Sequence, residues 1–168
     1  MSKPEVRSEG RLAPEPLRHR PRRNRRSAAI RSLVRETALS PADFLWPTFV
    51  IEGQDQRVAI DSMPGCFRLS RDLLVKEAVE AFKLGIPGVA LFPALPESAK
   101  DRVATESTNP DGLLQQTIRA LKDAVPEMLV ITDVAMDPYS SDGHDGLVQD
   151  GIILNDETLE ILGAMSVA

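Results

Sequence analysis

A single cysteine, Cys66, leaves the chain without a disulfide partner and with too few thiolates for a cysteine-built metal site. It reads as a small buried hydrophobe. No apolar run approaches the roughly 20 residues that cross a bilayer, and no N-terminal hydrophobic stretch resembles a signal peptide. The expectation is a cytoplasmic protein with no membrane partner. No GxGxxG or Walker-type glycine pattern follows any strand-like segment, so nucleotide binding has little support. Aromatic residues are only 4% of the chain, with none among residues 1–36, and no lysine follows Lys122.

What is present suits one domain: 168 residues, 42% of them apolar, are enough to bury a core. The net charge of −5 conceals an asymmetry. Residues 1–36 hold eleven Lys/Arg against four Glu, leaving nine basic and twenty-one acidic residues in 37–168, so the arm carries +7 and the body −12. The stretch "RHRPRRNRRSAAIRSLVRE" has the arginine density of a nucleic-acid-binding or transit segment. Four glutamates and four prolines interrupt this arm, no aromatic ring is there to stack on bases, and the acidic body repels phosphate. An extended arm over residues 1–36, pairing with acidic surface on its own body or on a neighbouring subunit, is the preferred reading, with no nucleic-acid partner.

From residue 37 the pattern becomes regular. Ser40 and Asp43 have capping-box spacing, and Phe44 to Ile51 read as a buried strand. "RVAIDSMPGCFRLS" is a loop or short hairpin with a turn at Pro64-Gly65. Ser70 is placed to cap a helix over "RDLLVKEAVEAFKLG", which Gly85 stops. "GVALFPA" is apolar enough for a strand covered on both faces. A helix follows Asn109-Pro110, with Leu113, Leu114, Ile118 and Leu121 facing inward. Met128 to Val134 forms the third strand, and a long polar loop runs to Asn155, read as the cap of a last helix. Short strands alternating with helices give parallel units, in an open doubly wound sheet or part of a (β/α)8 barrel. Both place their sites at the carboxyl ends of the strands, and the connections after strands two and three exceed the usual 2–6 residues.

The third of those strand ends carries "ITDVAMDPYSSDGHDG". Asp133, Asp137, Asp142 and Asp145 crowd it with negative charge. Carboxylates this close repel unless a metal ion, a protonated amine or an arginine lies among them. Their oxygens suit a hard ion such as Mg²⁺. An EF-hand is excluded, because Tyr139 and Ser141 occupy ligand positions and no glutamate stands at the twelfth. His144 reads equally well as a turn residue or a ligand, and a solvated acidic turn is the plain alternative for the whole loop.

Taken together, "RPRRNRR", "WPTFV", "SMPG", "LGIPGVALFP", "NPDGL", "ITDVAMDPYSSDGHDG" and "LNDET" resemble the porphobilinogen synthase (delta-aminolevulinic acid dehydratase) family over residues 20–168. The resemblance implies an α/β fold: the N-terminal part of a (β/α)8 TIM barrel, truncated after three strand-helix units (37–168) and preceded by the basic arm. It implies condensation of two 5-aminolevulinate molecules into porphobilinogen for tetrapyrrole (heme) synthesis, in a homo-oligomer that is often an octamer. Zinc-type members bind zinc through three cysteines of this loop. The matching positions here are Ala135, Asp137 and Asp145, so zinc is not expected, Mg²⁺ is the candidate ion, and Asp137 and Asp145 are its candidate ligands. Asp133 matches an active-site acid, and Asp133, Asp137 and Asp145 form the expected catalytic set. The family's two Schiff-base lysines lie on later strands. Lys76, Lys83 and Lys122 fall on helical patterns and Lys100 in a loop, so the chain looks like the N-terminal half of the enzyme without its covalent machinery. Two other readings stand beside this one: a non-catalytic fragment that joins intact subunits, and an unrelated Mg-dependent TIM-barrel enzyme.

Overall fold

The computed structural model describes residues 19–168. The chain divides into two compact units at Ala38/Leu39. The first holds the described part of the basic arm. A 3₁₀ turn at Arg22–Arg25 leads into a short helix, α1 (Ala28–Leu33). Ser27 starts it by accepting the Ile30 amide on its hydroxyl at 3.2 Å, which satisfies one of the amides a helix start leaves unpaired.

The second unit is built on a five-stranded sheet of order β2-β3-β1-β4-β5. Its strands are β1 (Leu45–Ile51), β2 (Arg57–Ala59), β3 (Phe67–Ser70), β4 (Gly88–Pro93) and β5 (Leu129–Thr132). The three expected strands are β1, β4 and β5, paired in parallel in chain order. The segment read as a loop or short hairpin is a hairpin: β2 and β3 pair antiparallel, and β3 also pairs in parallel with the carboxyl-terminal end of β1, from Phe49↔Arg68 to Ile51↔Ser70.

Helices α2 (Arg71–Lys83) and α3 (Leu113–Ala124) pack on each other and against β1. Their apolar faces supply Leu74, Ala78, Leu114 and Leu121 to a core shared with Val50, Val89 and Leu91. This is the outcome expected of helical stripes at 3.6-residue spacing. Gly85 ends α2 at φ +93, the left-handed conformation that glycine adopts without a Cβ penalty. Ser70 holds the N-cap position of α2, yet its hydroxyl does not cap the helix. It accepts the Gln56 amide at 2.9 Å and donates to Asp72 at 2.6 Å, tying the β2–β3 hairpin to the helix start.

The polar loop after β5 contains structure that the sequence reading missed. β6 (Leu147–Gln149) and β7 (Ile152–Leu154) form an antiparallel hairpin around Asp150 and Gly151, both at positive φ. α4 (Asn155–Val167) follows directly, with Leu154 at its N-cap, so Asn155 is the first helical residue and not the cap. The Thr158 hydroxyl takes over the local bonding: it donates to the Leu154 carbonyl at 2.5 Å and accepts the Leu147 amide at 3.0 Å, fixing hairpin to helix.

Candidate active site at the carboxyl edge of the sheet

Asp133 stands immediately past Thr132, the last residue of β5. Beyond it the chain does not make a solvated turn. Ala135, Met136 and Tyr139 are buried, Met136 completely. Met136 and Tyr139 join the main core cluster, and the Tyr139 and Ser140 amides both return to the Met136 carbonyl, at 2.9 and 2.8 Å. Apolar side chains alternating with acids thus plug the loop into the core and leave Asp133 and Asp137 at the surface. Burial pushes the Tyr139 hydroxyl up to about 12, assisted by the negative charge of Glu106. That hydroxyl is buried with no partner among the described residues.

The two acids expected to act alike do different things. Asp145 Oδ1 accepts the Met136 amide at 2.7 Å and the Asp137 amide at 3.3 Å, closing the loop on itself. Asp137 is left as the acid under electrostatic pressure. Burial first, then the charges of Asp145 and Asp133, push its carboxyl above the usual carboxylate range, against the pull of its own backbone amide and Lys100. Asp133 and Asp145 are thus near enough for their charges to bear on Asp137. Asp142 is drawn aside into an ion pair with Arg102 at 3.2 Å, and His144 is exposed.

Beside this loop lies a cleft of about 550 Å³ at the carboxyl ends of β1, β3 and β4, lined by Ile51, Glu52, Arg68, Lys100 and Pro138 among others. Lys100 is the residue undervalued in the sequence. Its side chain is only 18% exposed and pairs with Glu97 at 2.7 Å, while its charge bears on Asp137. A charged triplet, Lys100-Asp101-Arg102, inside a strand-to-helix connection longer than such connections need was the available signal.

Asp137 and Asp145 are the residues expected to hold Mg²⁺. One Asp145 oxygen is committed to two amides, Ala135 has no donor atom, and among the described residues no three His, Cys, Asp or Glu side chains stand close enough to hold a metal ion.

Parallel strands with intervening helices on one face, and acids past the carboxyl end of β5, define a segment of a β/α fold with an acid-lined strand edge. The sequence model of the delta-aminolevulinic acid dehydratase family matches residues 18–168, and the chain belongs to that family, a metal-dependent one. A chloroplastic delta-aminolevulinic acid dehydratase of Glycine max is 50% identical over 155 residues, covering 91% of this chain and 37% of that protein. The delta-aminolevulinic acid dehydratase of Bradyrhizobium diazoefficiens is 50% identical over 143 residues, covering 85% and 40%. The crystal structure of the Toxoplasma gondii ME49 enzyme, solved with the reaction product porphobilinogen, superposes with a TM-score of 0.83 at 43% identity and covers 98% of this chain and 47% of that one. The chain thus spans less than half the length of the relatives it matches, and corresponds to the N-terminal part of a porphobilinogen synthase barrel.

Proposed function

We propose that this chain supplies the amine-facing edge of a porphobilinogen synthase, the complete protein condensing two molecules of 5-aminolevulinate. The observation that carries this reading is the convergence of Asp133, Asp137 and Asp145 past β5, next to a cleft that also holds Lys100. Fixed carboxylates stabilise a substrate ammonium or an iminium, and they do so best where water is limited. Asp145 orders the loop, while Asp133 and Asp137 face the charge. The covalent step belongs outside this segment. Lys100 is held in an ion pair with Glu97, whereas imine formation needs a free amine. Lys83 pairs with Glu80 at 2.8 Å, and Lys122 donates to the Met128 carbonyl at 2.9 Å, both away from the acidic edge.

Zinc at the three-cysteine position is not part of this reading, since Ala135, Asp137 and Asp145 offer no thiolate. Magnesium stimulation and assembly into a homo-oligomer are parts of it that rest on family membership. The test is a complete enzyme made by joining this chain to the remaining part of the Bradyrhizobium relative. It should form porphobilinogen from 5-aminolevulinate and keep its activity under a thiol-seeking zinc chelator. A folded chimera that makes no product, beside an active Bradyrhizobium parent, sinks the reading. The 168-residue chain alone should give no borohydride-trapped substrate adduct, and specific labelling of it would overturn the placement of the covalent step.

A further inference from the structure

Arg102 is the one side chain that hydrogen-bonds both the acidic loop and the hairpin beyond it among the described residues. Its Nε donates to Asp142 at 3.2 Å, and its Nη2 donates to the carbonyl of Val148 on β6. The neighbouring Asp101 explains why Arg102 is held in place. The Asp101 amide donates to the Tyr139 carbonyl at 3.2 Å and its carbonyl accepts the Ser141 amide at 3.0 Å, a parallel bridge between the two long loops. On its other side, Asp101 Oδ1 accepts the Val103 and Thr105 amides, each at 3.0 Å, locking the turn from which Arg102 projects. Hydrogen bonds, first from Thr105, hold the Asp101 carboxyl below the usual carboxylate range.

We propose that Arg102 is a positioning residue for the acidic edge: it braces the loop carrying Asp137 and Asp145 against the β6–β7 hairpin, and so fixes the direction in which Asp137 presents its carboxylate. The proposal rests on the functional reading above. An ion pair whose arginine is 66% exposed contributes little to stability. The consequence of Arg102 is therefore geometric. Displacing a catalytic carboxylate by about 1 Å is enough to cost up to about a hundredfold in rate.

The chimeric complete enzyme decides it. In Arg102→Ala, kcat should fall about tenfold while KM for 5-aminolevulinate stays within about twofold and the melting temperature is unchanged, and Arg102→Lys should recover part of the loss. Arg57→Ala is the control, because Arg57 makes an exposed ion pair with Glu77 near the opposite edge of the sheet; it should change neither constant. Amide hydrogen exchange at Met136 and Asp137 should quicken about tenfold in Arg102→Ala, with β1 and β4 unaffected. Unchanged exchange overturns the proposal whatever the activity does, and so does a loss of activity that merely follows a lowered melting temperature. If the parent chimera makes no porphobilinogen, the functional reading fails, and hydrogen exchange still decides the role of Arg102.

Discussion

Asp145 and Asp137 are eight residues apart, chemically identical, and assigned opposite tasks by their surroundings. Asp145 spends an oxygen on two backbone amides, so its value is as an acceptor. In the complete enzyme Asp145→Ala should cost roughly 1 kcal/mol by urea denaturation, while Asp145→Asn, which keeps an acceptor oxygen, should cost less. Equal losses would show that charge and not the clamp is at stake. Asp137 has the reverse linkage. Its carboxyl is raised by burial and by Asp145 and Asp133, so ionising it costs the fold something. That cost is absent below the unfolded value of about 3.9, grows as pH rises through the folded value, and then stays constant. Asp137→Asn should therefore melt slightly above the parent at pH 7 and level with it near pH 3, while porphobilinogen formation falls sharply at pH 7. A variant less stable than the parent at both pH values would contradict this. The positions of these acids were legible in the sequence. Their division of labour was not, because it depends on which carboxylate meets the amides of residues 136 and 137, and that is set by the curl of the loop around buried Met136 and Tyr139.

Elements with one strong period declared themselves. β1 and β4 read as apolar runs, and α2 and α3 as stripes at i, i+3 and i+4, because burial against a single neighbour leaves that mark. The β6–β7 hairpin was hidden behind its surroundings, although Asp150-Gly151 between Leu147-Val148 and Ile152-Ile153 is a hairpin signature. Glycines and aspartates upstream of it had already marked the region as loop, and its strands span only three residues each. Helix caps were the other weak point. Ser70 and Asn155 have capping side chains, but Ser70 is claimed by the β2–β3 hairpin, and the start of α4 is fixed by Thr158 one turn later. Ser40, with no competing partner, behaved as its spacing suggested: Asp43 Oδ2 accepts its amide at 2.7 Å and its hydroxyl at 3.0 Å. The hairpin leaves no room beside Gly146, where a Cβ would lie 2.5 Å from Ile153 Cγ2. Gly146→Ala should thus disturb the hairpin and destabilise the complete enzyme by about 1–3 kcal/mol, the range for forced overpacking. Gly163, in α4 with nothing within 4 Å of its virtual Cβ, should accept alanine with a small gain in helix stability. Denaturant midpoints of the two variants moving in the same direction would show that the hairpin yields more easily than its contacts indicate.

In the body of the molecule one sheet face is finished and the other is not. Thr48, Val50, Val89 and Leu91 are buried under α2 and α3, whereas Leu45, Leu129 and Ile131 are 49%, 55% and 37% exposed. The register places Leu45 beside Gly88 and Gly88 beside Leu129, so these side chains share the uncovered face, on which Phe49 and Phe92 also meet with ring centroids 5.7 Å apart. The edges are unequal. β3 covers only the carboxyl-terminal end of β1, from Phe49 to Ile51, and leaves Leu45–Thr48 without a neighbour on that side among the described residues. β5 has β4 on one flank and no strand on the other among the described residues. An apolar face with open edges is an aggregation surface, since unpaired strand amides and carbonyls template pairing with other chains. In a closed barrel the same face becomes the packed interior and the edges disappear. The 168-residue chain expressed alone should consequently bind an apolar-surface dye and sediment as heterogeneous aggregates. Co-expression with the remaining part of the Bradyrhizobium relative should give a soluble complex with a sharp melt and no dye binding. A lone chain that runs as a monomer, melts cooperatively and binds no dye would mean that this face is satisfied without further strands, and a self-contained open sheet would have to replace the barrel.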